Sequence, residues 1–276
     1  MKKRNKHSIL IPIPDPEIET IDWLRKINQH VLVLFSGGKD SIVTEHLVKR
    51  SGLSYSLNST LTGIDPPQVT RFIRKNYSQC TFVRPPQSFW HLLTTHNPPA
   101  GTGRGFKWCC TKIKEMPSKP IPIKHKILGI RSEESPARSK YGRTHKWRKK
   151  YDETSEFTGA VHYHPIFHWK EWQIWEYIEK YNLPYPKLYD EGFSRIGCVI
   201  CPNHSNHHKP YRDRWPNHFK CFEKYIHIWW DKRVKQGKDM WYDSPEEFLK
   251  NWYAGKFNYY KPDKKTKSIF DIIKEK

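Results

Sequence analysis

The sequence predicts an α/β protein: a doubly wound, mostly parallel sheet followed by a helical C-terminal part. Three observations predict it. Residues 31–35, Val-Leu-Val-Leu-Phe, form a continuous apolar run, as expected of a strand buried on both faces of a parallel sheet. The run stops at Ser36-Gly37-Gly38 and passes into a helical pattern, with Ile42, Val43, His46, Leu47 and Val48 at helical spacing. Short strand and helix patterns then alternate, before helical patterns take over alone.

In chain order, residues 1–16 read as an arm rich in bases and prolines. Glu17 to His30 can form a helix with Ile18, Ile21, Leu24 and Ile27 on one face. The strand at 31–35 follows, then a second strand over Leu53–Leu61. Thr62-Gly63-Ile64-Asp65-Pro66-Pro67 is a turn whose prolines can start a helix running to about Asn76. Cys80–Arg84 reads as a short strand, Ser88–His96 as a short helix and His125–Ile130 as a further strand. From there to about Ala160 the chain is polar and basic without usable periodicity. A loop that orders when substrate binds is expected. Trp169–Tyr181 has helical spacing, with Trp172, Ile174, Trp175 and Ile178 as apolar positions. Helices over Tyr211 to about Val234 and over Pro245–Tyr253 complete the chain. The expected organisation is an arm at 1–16, a nucleotide-binding domain carrying the paired cysteines at 17–205, and a basic helical region at 206–276.

Lys and Arg number 49 against 28 Asp and Glu, a formal charge of +21. Such a surface attracts polyanions, nucleic acid foremost. The 12 Trp suit base stacking and a core equally. No run of apolar residues is long enough to span a membrane, and the basic Met1–His7 is not followed by a signal-type apolar region. The expectation is a cytoplasmic protein with no membrane partner. In that reducing setting the six cysteines, at 80, 109, 110, 198, 201 and 221, more often hold metal or do chemistry than form disulfides.

Strand, glycine turn and helix start in that order make an anion site. The glycines let the backbone approach closely, amide N–H groups point into the turn, and the helix dipole favours negative charge. Lys39 adds a point charge, Ser36 and Ser41 add hydroxyls, and Asp40 could hold Mg2+ or a helix-start amide. The Walker spacing is absent. Two thiol pairs, Cys109-Cys110 and Cys198-x-x-Cys201, can together present four thiolates to zinc or to an iron–sulfur cluster. Adjacent cysteines point apart and chelate one small ion poorly, so a 4Fe–4S cube is preferred, with zinc as the alternative. Cys80 and Cys221 read as core thiols.

Ser36-Gly37-Gly38-Lys39-Asp40-Ser41 resembles the signature of the PP-loop ATP pyrophosphatases, of the adenine nucleotide alpha-hydrolase-like fold. Cys109-Cys110-x-x-x-Lys114-x-x-Pro117, Gly129-Ile130-Arg131-x-x-Glu134-Ser135 and Cys198-x-x-Cys201-Pro202 resemble the phosphoadenylyl-sulfate reductase superfamily over about residues 30 to 205. The resemblance implies that Ser36 to Ser41, Lys114 and Arg131 bind the phosphates of ATP with Mg2+. It also implies that Lys39, Asp40 and Arg131 serve catalysis and that the four cysteines bind a 4Fe–4S cluster. Reductases of this type carry a nucleophilic cysteine in a Cys-Gly-Leu-His context, and here only Cys221 follows Cys201. In combining this loop with the paired cysteines and lacking the reductase tail, the chain resembles the PP-loop proteins of bacterial DNA phosphorothioation systems (the Dnd/Ssp type). That implies ATP-driven adenylation of a DNA phosphate and sulfur delivery from a cysteine desulfurase or other donor protein. A sulfonucleotide reductase and a tRNA thiolation enzyme are the alternatives.

Overall fold

The computed structural model describes residues 15–99, 108–146, 160–202, 208–238, 240 and 242–255. Six strands form one sheet: β1 (Val31–Leu34), β2 (Tyr55–Thr60), β3 (Thr81–Val83), β4 (His125–Leu128), β5 (Thr144–Lys146) and β6 (Val161–Tyr163). Their order is β3-β2-β1-β4-β6-β5. β1 pairs parallel with β2 and β4, β4 pairs parallel with β6, and β5 runs antiparallel at the edge. The direction of winding reverses between β1 and β4. A crevice at the carboxyl ends of those two strands is where an open α/β sheet receives ligands.

The helices are α1 (Pro16–Arg25), α2 (Lys39–Ser51), α3 (Pro67–Asn76), α4 (Phe89–Leu93), α5 (Glu171–Lys180), α6 (His208–Arg214), α7 (Pro216–Lys235) and α8 (Pro245–Tyr253). The doubly wound sheet and the helical C-terminal part are therefore as expected. Compactness divides the chain into two units: residues up to 59, 75–81 and 121–186, and residues 60–74, 82–120 and 187 onward. Val31, Leu32, Val33, Ile42, Val43 and Leu47 form the centre of the first unit, each at most 1% exposed. The second is built on aromatic packing, with Phe222 against Trp252 at 4.5 Å and Trp229 against Phe248 at 5.3 Å between ring centres. Trp108, Trp169, Trp215, Trp229, Trp230 and Trp252 are all buried, so much of the Trp content serves cores. No helix among the described residues is long and apolar enough to cross a membrane.

Several elements differ from expectation, each for a local reason. α1 begins at Pro16, inside the expected arm, because Asp15 caps it by accepting from Glu17 N–H at 2.8 Å and Pro16 occupies the first turn. Its buried stripe is Glu17, Thr20, Ile21 and Leu24, and Ile18 faces solvent. Glu17 takes that buried position because Arg50, Lys180 and Tyr181 all donate to it. In α5, Ile174, Tyr177 and Ile178 are buried, whereas Trp172 is 64% exposed. The helix expected over 211–234 is two, because Pro216 forces Trp215 out of helical geometry. The expected long loop carries the edge strand β5, although residues 147–159 lie outside the described residues. β6, at three residues, was too short to leave a periodic signal.

Candidate functional site

In the first unit, the apolar β1 delivers the chain to the carboxyl edge of the sheet, where Gly37 turns it with φ +72°. That left-handed conformation disfavours any residue with a Cβ. Gly38 stands at the N-cap of α2 with no side-chain cap, the kind of helix start at which backbone N–H groups receive an anion. The turn is internally tied. Ser41 Oγ donates to the Gly38 carbonyl at 2.8 Å, Ser36 Oγ donates to Ser41 Oγ at 3.2 Å, and Gly38 N–H donates to Ser36 Oγ at 3.4 Å.

Two nearly buried cations stand at this turn. Lys39 and Arg131 expose only 5% and 4% of their side chains. Arg131 arrives from the end of β4, where Arg131 Nε donates to Asp40 Oδ1 at 2.5 Å. Its Nη1 donates to Glu133. Burial alone would lower the Arg131 pKa, but the charge and hydrogen bond of Asp40, then Glu133 and Glu134, more than offset it and hold it above its ordinary value. Lys39 Nζ lies 3.5 Å from Asp40 Oδ2 and 3.3 Å from Glu171 Oε1.

Gly129 explains how Arg131 gets there. A Cβ at that position would stand 2.8 Å from the Asp40 carbonyl oxygen and 3.0 Å from Thr44 Oγ1. Only glycine lets β4 leave the sheet this close to the first turn of α2.

In the second unit lie the cysteines. Cys110–Glu115 is a π-helical turn entered from Trp108, a wide-turn element that recurs at functional positions. The Cys109 thiol pKa is raised, first by a hydrogen bond with Cys110, then by burial, then by nearby Cys110, Cys198 and Cys201. The four thiols therefore act on one another electrostatically. Val199 N–H donates to the Ile64 carbonyl at 2.7 Å and fixes the 198–201 turn. Burial pushes the Cys198 thiol up to about 12, with Lys114 acting in the opposite sense. Lys114 Nζ lies 4.0 Å from Asp65 Oδ1.

Four thiols fit a thiophilic centre by donor chemistry, and none of the six cysteines is in a disulfide. Yet among the described residues no three His, Cys, Asp or Glu side chains are drawn in to metal-binding geometry. Cys80 is buried, and burial raises its thiol to about 12.

Ser36, Gly37, Gly38, Lys39, Asp40, Ser41 and Arg131 are thus brought together at one turn, and Cys109, Cys110, Cys198 and Cys201 at another place. Lys114, expected at the phosphates, stands beside Cys198 and Asp65. Sequence reasoning missed Glu171, Glu133 and Asp65. Recognising β6 as parallel to β4 would have found Glu171, because residues leaving the carboxyl end of such a strand face the same crevice.

The family model described as "Phosphoadenosine phosphosulfate reductase domain" matches residues 30–204. The chain belongs to that family. A curated relative, an uncharacterized protein of Methanocaldococcus jannaschii, is 32% identical over 187 residues, 64% of this chain and 37% of that protein. A second uncharacterized protein of the same organism is 30% identical over 183 residues, 63% of this chain and 42% of that protein. The chain therefore spans less than half the length of these two relatives. Among solved structures, phosphoadenylyl-sulfate reductase from Candida auris in a phosphate complex is similar at a TM-score of 0.47. Identity with it is 17%, covering 72% of this chain and 97% of that chain.

Proposed function

We propose that this chain is a PP-loop ATP pyrophosphatase that activates a backbone phosphate of nucleic acid, DNA by preference, for sulfur incorporation. The observation that carries the reading is the placement of two buried cations, Lys39 and Arg131, at the N-terminus of α2 beside Gly37-Gly38. A site of that kind grips a polyphosphate through backbone N–H groups and two fixed charges.

In the reaction, an oxygen of the nucleic-acid phosphate attacks the α-phosphorus of ATP, the bond to the bridging oxygen breaks, and pyrophosphate leaves with the electron pair. The amides of the glycine turn orient the leaving pyrophosphate. Lys39 and Arg131 stabilise the charge that develops on it. Asp40 is the carboxylate that would hold Mg2+, which when bound neutralises further phosphate charge. The terminal sulfur of a persulfide on a partner cysteine desulfurase, or another sulfur donor protein, then displaces AMP. A second thiol reduces the resulting S–S bond and leaves the phosphorothioate. The net charge of +21 supports a polyanionic acceptor held through its backbone. Cys109, Cys110, Cys198 and Cys201 would hold a 4Fe–4S cluster, or zinc, and the cytoplasm is the setting in which such thiols stay reduced.

The family name favours a competing reading, sulfonucleotide reduction. That chemistry needs an attacking thiolate. In this sequence Cys221 is the thiol after Cys201, and it sits within α7 with its pKa raised by burial, away from the thiolate form.

Labelled ATP carrying the isotope at the α-phosphorus, incubated with Mg2+ and either duplex DNA or tRNA in the absence of sulfur donor, distinguishes the readings. Transfer of labelled AMP to DNA is expected. Transfer to tRNA alone moves the acceptor to RNA. Sulfite formed from a sulfonucleotide and thiol, with no AMP transfer, overturns the proposal.

A further inference from the structure

The glycine turn already faces an anion that belongs to the protein. Glu171, the first residue of α5, places Oε1 3.3 Å from Lys39 Nζ and Oε2 4.0 Å from Arg131 Nη2. Asp40 also reaches both cations, but it belongs to the turn itself, holds Arg131 at 2.5 Å and is 21% exposed. Glu171 comes from a separate element, stands 4.0 Å from Arg131 where Asp40 stands at 2.5 Å, and is 50% exposed. Its backbone is fixed, because Glu171 N–H donates to Glu133 Oε1 at 2.7 Å while Glu133 also accepts from Arg131. The side chain alone is therefore the movable part.

We infer that Glu171 is a resident carboxylate that competes with phosphate for Lys39 and Arg131, so that it determines which anions the turn admits. Three carboxylates, Asp40, Glu133 and Glu171, stand against two buried cations at this place. An incoming anion must displace one of them, and a half-exposed ion pair is the one that costs least to break. A ligand carrying several charges regains more from Lys39 and Arg131 than the single carboxylate it displaces. A singly or doubly charged anion gains little. The same displacement cost falls on every anion, so Glu171 sets a threshold of affinity that a polyphosphate clears and inorganic sulfate or monophosphate does not. The inference rests on the reading of the turn as a phosphate site.

The test is direct titration of the full 276-residue chain with sodium pyrophosphate and, separately, sodium sulfate, at fixed ionic strength without divalent metal. Wild type, Glu171→Gln, Glu171→Asp and Lys39→Ala are compared. Removing the competing charge in Glu171→Gln is expected to tighten pyrophosphate about fivefold, and to tighten sulfate as well. Glu171→Asp, whose shorter side chain draws the carboxylate back from the cations, is expected to lie between. It carries the same test if the Gln variant folds poorly. Unchanged or weaker pyrophosphate binding in both Glu171 variants, with binding still lost in Lys39→Ala, overturns the competition while leaving the phosphate site intact. Binding in Lys39→Ala equal to wild type overturns the phosphate site and this inference with it.

Discussion

The glycine turn and the thiol group differ in where their working atoms come from. At the turn, one continuous stretch, residues 36–41, supplies the backbone amides, two hydroxyls, Lys39 and Asp40, and its shape follows from Gly37 at φ +72° and an uncapped helix start. At the thiol group, two segments remote in sequence each bring a pair of cysteines. Their arrangement depends on the wide turn at Cys110–Glu115 and on the Val199–Ile64 hydrogen bond. The first is a backbone device with charges added. The second is an arrangement of side chains, which among the described residues is not drawn in to metal-binding geometry.

The sharpest way to separate them is to remove one side-chain group from each. Lys39→Ala is expected to lower pyrophosphate release from ATP by at least about a hundredfold, the usual cost of removing one preorganised stabiliser of developing charge. The same variant should retain the metal content of wild type, read by elemental analysis after anaerobic purification. Cys198→Ser is the reciprocal change. It should remove bound iron, or zinc, together with any broad absorption near about 400 nm, while pyrophosphate titration stays at the wild-type value. A Cys198→Ser protein with full metal content would show that the four thiols are not one centre.

Gly129→Ala tests the backbone half of the comparison. The added Cβ would stand 2.8 Å from the Asp40 carbonyl, so β4 or α2 must shift. A loss of about 1–3 kcal/mol in denaturant stability is expected, with weakened pyrophosphate binding because Arg131 moves with β4. Normal stability with normal binding would contradict the close approach.

These residues also show how far the sequence is readable. The strand, turn and helix at 31–51 were legible because their signals are local: an apolar run, two glycines and a 3.6-residue period. Arg131 was legible only through motif resemblance, and Gly129 gained a reason only once β4 was seen against α2. Glu171 was not legible. It stands at the glycine turn because β6 lies parallel beside β4, and a three-residue strand of mixed polarity carries no period to read. Ile18 misled for a related reason. Helical spacing shows which positions share a face, and a buried Glu17 with three partners claims the inward one.

Glu17 tests only the scaffold under the glycine turn. Burial alone would raise its pKa, but donation from Tyr181, Arg50 and Lys180 outweighs burial and brings it from 4.5 to about 2. A carboxylate depressed in the folded state stabilises above its ordinary pKa and loses that contribution as the pH falls. Glu17→Gln should cost about 2 kcal/mol at pH 7, after allowance for the exposed Lys180 partner. The gap to wild type should close between pH 4.5 and about 2, followed by thermal melts across that range. A gap independent of pH would assign the effect to packing.

The central claim is that the glycine turn performs α-phosphate chemistry. The most direct measurement is pyrophosphate release from ATP and Mg2+, with and without duplex DNA, in wild type and in a Ser36→Ala/Asp40→Ala variant. The account predicts release that DNA stimulates and that the double variant loses. Release unaffected by the double substitution, or no release alongside sulfite production from a sulfonucleotide and thiol, would contradict it.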